Sequence, residues 1–124
     1  MVLVDTSVWV DHLRVRNEIL LQLLIDENAL MHPFVAGEVA LGTLRRRKDI
    51  LKMFGELPQA QVASPFEVLR LIEVQQLFGI GVGYIDVHLL ASVRLTPYGK
   101  LWTRDKRLAA AARKMGLTLA PVVH

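Results

Sequence analysis

The sequence predicts an α/β fold: a three-layer sandwich in which a short, mostly parallel central sheet is flanked by helices. Three observations lead there. Short apolar runs at Val2–Val4, Ala29–His32 and Lys100–Thr103 have the length of strands, and the first lacks the alternation of a half-exposed strand. Stretches with apolar residues at helical spacing separate them, the order expected of parallel βαβ units. No linker, internal repeat or low-complexity segment interrupts the 124 residues, so residues 1–124 are read as a single domain, long enough to bury a core.

Val2 to Val4 reads as a buried strand with Asp5 at its carboxyl end. Thr6 and Ser7 offer N-caps for a helix reaching about Leu13. Glu18 to about Asn28 is amphipathic, with Ile19, Leu20, Leu23 and Leu24 on one side, and Ala29 to His32 forms a strand stopped by Pro33. A helix is expected from Phe34 to about Arg47, ending in Arg45-Arg46-Arg47-Lys48, and another from Asp49 to Leu57, closed by Pro58. Gln61 to Ala63 is a weak strand.

Ser64, Pro65 and Glu67 supply the N-cap, first-turn proline and acid of a capping box, opening a helix to about Phe78. Gly79, Gly81 and Gly83 lead into a helix that carries Asp86 and reaches about Arg94. Thr96-Pro97-Tyr98-Gly99 is a turn. Lys100 to Thr103 is a strand, Asp105 to Met115 a helix with Gly116 behind it, and Leu117 to Ala120 a last strand.

Four acids stand out because their neighbours are apolar: Asp5 after Met1-Val2-Leu3-Val4, Glu38 within Phe34–Leu41, Asp86 within Tyr84–Val87, and Asp105 after Leu101-Trp102-Thr103-Arg104. An acid in apolar sequence usually has a cation or strong donor beside it. Taken singly, Asp5 and Asp105 suit helix caps, and Asp86 suits a first turn facing the positive end of the dipole. Glu38 has no such explanation, because apolar residues flank it on several helical faces. In an open parallel sheet the functional crevice lies beyond the carboxyl ends of the strands, where Asp5 and Asp105 are placed.

There is no cysteine, and the four histidines are scattered. A cation gathered by these acids would have oxygen ligands, which favours Mg²⁺ or Mn²⁺ over zinc. Two divalent ions about 3.5–4 Å apart can clamp the attacking and leaving oxygens of a phosphodiester displacement, with no need for a histidine base or cysteine nucleophile.

Composition bounds the rest. Hydrophobic residues make up 52% and mean hydropathy is +0.35, an apolar excess that points to a protein partner or a second copy. No apolar run approaches the roughly 18 residues of a membrane span, and the start lacks the pattern of a signal peptide. Lack of cysteine fits a reducing cytoplasm. Net charge is +3 with pI near 9.6. If the acids cluster in one cleft, the remaining surface must be distinctly basic, which suits a polyanion.

The segment Val4-Asp5-Thr6-Ser7-Val8-Trp9, Glu38 in Gly37-Glu38-Val39, Ile85-Asp86 opening a helix with Ala91 further along, and Leu101-Trp102-Thr103-Arg104-Asp105 together resemble the PIN-domain ribonucleases. The closest likeness is to VapC-type toxins of toxin–antitoxin pairs, and it covers nearly the whole chain. The resemblance implies a metal-dependent endoribonuclease in which Asp5, Glu38, Asp86 and Asp105 ring Mg²⁺ or Mn²⁺. Thr6 or Ser7, and Thr103, would orient acids or waters. It also implies a homodimer inhibited by a cognate antitoxin.

His88 departs from the aliphatic residue expected there and is read as packing or surface. Arg45, Arg46, Arg47 and Lys48 suit RNA phosphates, or equally a solvated helix C-terminus complementing the dipole. Arg104, Lys106 and Arg107 flank Asp105 as phosphate contacts or plain surface charge. Asp11 and His12 are read as surface or local structure.

Two other enzyme classes fit less well. A haloacid-dehalogenase-type phosphatase needs a second acid where Ser7 stands, and a phosphoreceiver domain needs an acidic pair where Asp5-Thr6 stands. The competing reading from another class is a catalytically silent PIN-like module that binds RNA or protein.

Overall fold

A computed structural model describes residues 1–119. Among these, three strands and seven helices run in the order β1 (Val2–Val4), α1 (Thr6–Arg14), α2 (Glu18–Ile25), β2 (Ala29–Leu30), α3 (Pro33–Ala40), α4 (Arg47–Glu56), α5 (Pro65–Val74), α6 (Tyr84–Arg94), β3 (Lys100–Trp102) and α7 (Lys106–Lys114). The sheet is parallel with order β2-β1-β3. The chain is thus α/β, with a short parallel sheet flanked by helices, as the sequence predicts.

β1 is the middle strand, which explains its unbroken apolar run: Val2, Leu3 and Val4 are 4%, 0% and 0% exposed. All three strands point the same way, so their carboxyl ends share one edge. Asp5 N–H donates to Trp102 O at 2.9 Å, extending the β1–β3 ladder to the first residue beyond the strand. Single parallel bridges widen the sheet on both sides, Met31 to Gln59 and Leu101 to Thr118. The strand expected at Gln61–Ala63 is absent, and Gln59 occupies that edge instead. The strand expected at Leu117–Ala120 reduces to the bridge at Thr118, and Ala120 lies outside the described residues.

The core is built on β1 and the helices around it. Trp9 is fully buried and meets the Phe54 ring edge-on at 4.8 Å, tying α1 to α4. Trp102, at the end of β3, is only partly buried. α6 is the most enclosed helix, with every residue from Val87 to Val93 buried. It packs on α5 and against β3, while α1 packs on α3.

Several helix ends differ from the pattern reading, each for a local reason. The helix expected to run from Phe34 to Arg47 stops at Ala40, and Leu41–Arg46 form a loop. Gly42 and Thr43 are poor helix formers there, and Arg46 takes a left-handed conformation (φ 54°) before α4 starts. The basic run therefore surrounds the start of α4, not the end of a helix. The dipole disfavours cations at that place, so complementing a C-terminus no longer explains them.

Thr6 and Ser7 do not cap α1. Asp5 takes the N-cap position, and none of the three side chains bonds the helix N–H groups there. Asn17 caps α2 by accepting from the N–H of Ile19 and Leu20, and Ser64 with Glu67 forms the expected capping box on α5.

α2 and α5 end three and four residues earlier than expected, both in the same device. Glu27 (φ 53°) and Gln76 (φ 53°) are left-handed, and the N–H of Asn28 and Leu77 donate back to Leu23 O and Ile72 O at 2.8 and 2.9 Å. Gly116 (φ 72°) ends α7 in the same way, with Leu117 N–H on Ala112 O. These are Schellman closures, two of them made without glycine.

A left-handed L-residue costs roughly 1–2 kcal/mol, which glycine avoids, although glycine also loses more entropy on folding. Gln76 is exposed. Gln76→Gly is therefore expected to stabilise the chain by about 0.5–1 kcal/mol. Urea denaturation should show a higher midpoint at unchanged slope. A lower midpoint would mean that the Gln76 side chain contributes more than its backbone strain costs.

Candidate active site at the carboxyl edge of the sheet

Asp5 is the anchor of this edge. It directly follows the central strand, its residue is 6% exposed, and it is the one acid among the described residues that is buried. Both the Ser7 hydroxyl and the Thr103 hydroxyl donate to its Oδ2, at 2.8 and 2.7 Å. Both hydroxyl protons are used on Asp5, so the 3.4 Å approach of Ser7 to Thr103 carries no further hydrogen bond between them. Among the described residues Oδ1 receives no hydrogen bond. One oxygen is thus fixed and its partner left free.

The same hydroxyls order the loop between β3 and α7. Ser7 Oγ accepts the Arg104 N–H at 3.0 Å, and Thr103 Oγ1 accepts the Asp105 N–H at 3.0 Å. Asp105 then caps α7, its Oδ1 accepting from Leu108 N–H at 2.9 Å. Asp5 and Asp105 are therefore joined through Thr103.

Glu38 lies in the last turn of α3 and is exposed. The apolar neighbours that marked it in the sequence face inward: Val35 and Val39 are buried while Glu38 stands at the rim. Thr6 Oγ1 donates to Glu38 Oε1 at 2.6 Å, linking α3 to the first residue of α1.

Asp86 occupies the first turn of α6, half-buried. Its carboxyl is pushed above the ordinary value, first by burial and next by the charge of Asp5. The Gly83 N–H acts in the opposite direction, and Asp105 and Glu38 raise it further. All three other acids thus act on Asp86: the fold brings the four together at one edge. Among the described residues, no three acidic or histidine side chains form a closed, ready-made ligand cluster. The acids are neighbours at electrostatic range around an open rim.

Two contacts hold this edge in register. Arg107 lies across Gly81 (φ 82°), where a Cβ would sit 2.7 Å from its Nη1, so the loop before Asp86 packs under the helix that Asp105 caps. Behind Asp86, His88 is buried rather than on the surface. Its ring meets Tyr84 and Phe34 edge-on at 4.8 and 4.9 Å, and Phe34 meets His32 at 4.9 Å. His32 caps α3 through Nδ1, which accepts the Phe34 N–H, and burial followed by the nearby His88 lowers its pKa to about 4. This neutral aromatic seam packs α3 against α6, the helices that carry Glu38 and Asp86.

The basic candidates separate. Arg104 Nε pairs with Asp11 Oδ2 at 2.7 Å, a partner the sequence did not identify. Arg46 pairs with Asp49, and Arg47 reaches Gly42 O at 3.4 Å. Arg45 and Lys48 are exposed and pair with none of the described carboxylates. His12 accepts the Asn17 N–H through Nδ1, closing the turn between α1 and α2.

Comparison with known proteins is consistent with this arrangement. Residues 2–114 match the PIN domain. Ribonuclease VapC32 of Mycobacterium tuberculosis, from strains CDC 1551 / Oshkosh and ATCC 25618 / H37Rv, is 46% identical over 123 residues, covering 99% of this chain and 99% of each relative. With the domain matched from its first strand to its last helix, the chain belongs to the PIN-domain family.

Proposed function

We propose that this protein is an endoribonuclease that hydrolyses RNA phosphodiester bonds and acts as the toxin of a toxin–antitoxin pair. The observation that carries the reading is the convergence of Asp5, Glu38 and Asp105 on Asp86, at the carboxyl edge of a parallel sheet. Similarity to the M. tuberculosis ribonuclease supports the substrate class.

The donor set fits Mg²⁺ or Mn²⁺: it is entirely oxygen, it includes one carboxylate with a fixed and a free oxygen, and its mutual repulsion is of the kind a hard cation relieves. Asp5 and Asp86 would hold the ion, with Glu38 and Asp105 completing the ring from the rim. When bound, the ion would supply Lewis acidity toward the phosphoryl oxygens and lower the pKa of an attacking water.

The chain's own residues orient and charge this site. Ser7 and Thr103 keep Asp5 in one rotamer. Thr6 holds Glu38 at the rim, and the cap on α7 fixes Asp105. We infer that the protein forms a homodimer, in keeping with the exposed Phe66, Leu69, Val74 and Phe78 on and just after α5. A cognate antitoxin carrying a cation suits the carboxylate ring, since a guanidinium pairs bidentately with a carboxylate.

Asp5→Asn is expected to abolish RNA cleavage in Mg²⁺ or Mn²⁺ while leaving the circular dichroism spectrum unchanged. Thr103→Val, which removes one donor to Asp5 and one acceptor for the Asp105 N–H, should cost about 10–100-fold. Asp105→Asn, at the rim, should retain part of the activity. Full activity of the wild type in excess EDTA would end the metal reading, and full activity of Asp5→Asn would end the site assignment.

Asp86 gives a pH test whose sign is set by its raised pKa. A carboxyl that binds its proton more tightly folded than unfolded costs stability while ionised, and the cost fades as pH falls through the folded value. In EDTA at neutral pH, Asp86→Asn should therefore melt above the wild type, the gap narrowing as pH falls through the raised folded value and gone below the ordinary aspartate value of about 4. With Mn²⁺ the wild type should gain more in Tm than the variant, and its gain should shrink as protons compete for Asp86. A variant that melts lower than wild type in EDTA at neutral pH would contradict the strained carboxylate.

A further inference from the structure

We propose that Arg14, at the end of α1, joins the basic surfaces on either side of that helix into one track for the backbone of single-stranded RNA leading to the acids. The inference rests on the ribonuclease reading and specifies how the substrate lies.

Two grooves flank the end of α1. One, of about 850 Å³, runs between α1, the loop after α3, and α4. Its floor is apolar, formed by Leu13, Leu44, Ile50 and Met53, and its rim carries Arg14, Arg45 and Arg46. Glu38 lines the same groove, so it opens directly onto the acidic edge. The other, of about 410 Å³, lies on the far side of α1 and is lined by Asp11, Arg14, Arg16 and Arg104. Arg14 is the cation common to both. Arg104 lies one residue from each of Thr103 and Asp105, so the second groove also reaches the acids.

Charge selects the occupant. Asp11 is paired with Arg104, Asp49 with Arg46, and Glu18 with Arg16, each pair exposed and therefore worth little to the fold. Arg14 and Arg45 are exposed and pair with none of the described carboxylates. Each pair cancels one acid against one arginine, so the net positive charge along the grooves is that of Arg14 and Arg45, opposed only by Glu38 where the larger groove meets the acids. A polyanion gains from every phosphate placed there, whereas a peptide could use the apolar floor without needing both grooves. A single strand also brings flat base faces for that floor and for the arginine planes. A duplex would have to fit its full width between α1 and α4.

The test is binding, not turnover. In the Asp5→Asn background, which keeps RNA intact, affinity for a short mixed-sequence single-stranded RNA is measured by fluorescence anisotropy across a salt series. Adding Arg14→Gln should weaken binding and lower the slope of log affinity against log salt by about 0.7 for each phosphate no longer neutralised. Arg14→Lys should keep most of the slope, and Lys52→Gln, an exposed residue of α4 that lines neither groove, should leave it unchanged.

An unchanged slope in Arg14→Gln while wild type still cleaves RNA would overturn the track and leave the ribonuclease reading standing. Equal losses in Arg14→Gln and Lys52→Gln would also overturn it, by showing a response to bulk charge alone. No RNA binding in the Asp5→Asn background, together with no cleavage by wild type, would overturn both readings.

Discussion

Four carboxylates meet at one edge of a three-stranded parallel sheet, and the direction of its strands decides where most of them stand. Three of them stand at helix N-termini: Asp5 before α1, Asp86 in the first turn of α6, and Asp105 before α7. Because the strands are parallel, each helix that follows β1 or β3 begins at this edge and directs the positive end of its dipole toward it. A sheet with an antiparallel middle strand would send one of those helix starts to the opposite edge. Strand direction therefore supplies the positions of Asp5 and Asp105 and helix dipoles that favour negative charge at this edge.

Glu38 is the exception, since it lies in the last turn of α3, where the dipole opposes a negative charge. Its compensation is a single hydroxyl, Thr6, and exposure to water. The acids thus form a graded set. Asp5 is buried and fixed by two donors to one oxygen, Asp86 is half-buried and carries the repulsion of the others, and Glu38 and Asp105 stand at the rim. A ligand that needs a rigid inner contact and adaptable outer ones meets both in one place.

The sequence revealed the anchor more readily than the frame. Asp5 and Asp105 were legible because a strand ending in an acid is local, and a mostly parallel sheet could be anticipated from short apolar runs alternating with helices, although its strand order could not. Glu38 was legible for a reason that proved indirect: its apolar neighbours mark a helix packed on both sides, with the acid on the narrow strip left to solvent. Helix ends were the least legible. Glu27 and Gln76 close α2 and α5 in the left-handed conformation usually signalled by glycine, so nothing in the residue types announced those stops. The basic run was misplaced because an apolar period and a charged ending look alike whether the charges end one helix or begin the next. Contacts made only in three dimensions, Asp11 with Arg104 and Thr6 with Glu38, had no sequence signal at all.

Stability and chemistry pull against each other at this edge. Asp86 carries a strained charge, His32 Nε2 and His88 Nδ1 are buried without partners behind it, and such groups cost roughly 1–3 kcal/mol each when left unpaired. The apolar core beside them pulls one way only: Leu89 and Leu90 of α6 are fully enclosed, as are Leu3 and Val4 of the central strand. Local choices agree with one another along those residues, and disagree along the line from His32 through His88 to Asp86. Proteins tolerate such disagreement where a ligand or a reaction resolves it. Trp9 Nε1 and Ser92 Oγ are also buried without partners, and Glu27 and Gln76 are left-handed, but only at this edge does strain meet the acids, the free oxygen of Asp5 and the mouth of the basic grooves. That coincidence comes from packing and charge together, and it is the physical reason to place the chemistry there rather than in the larger groove alone.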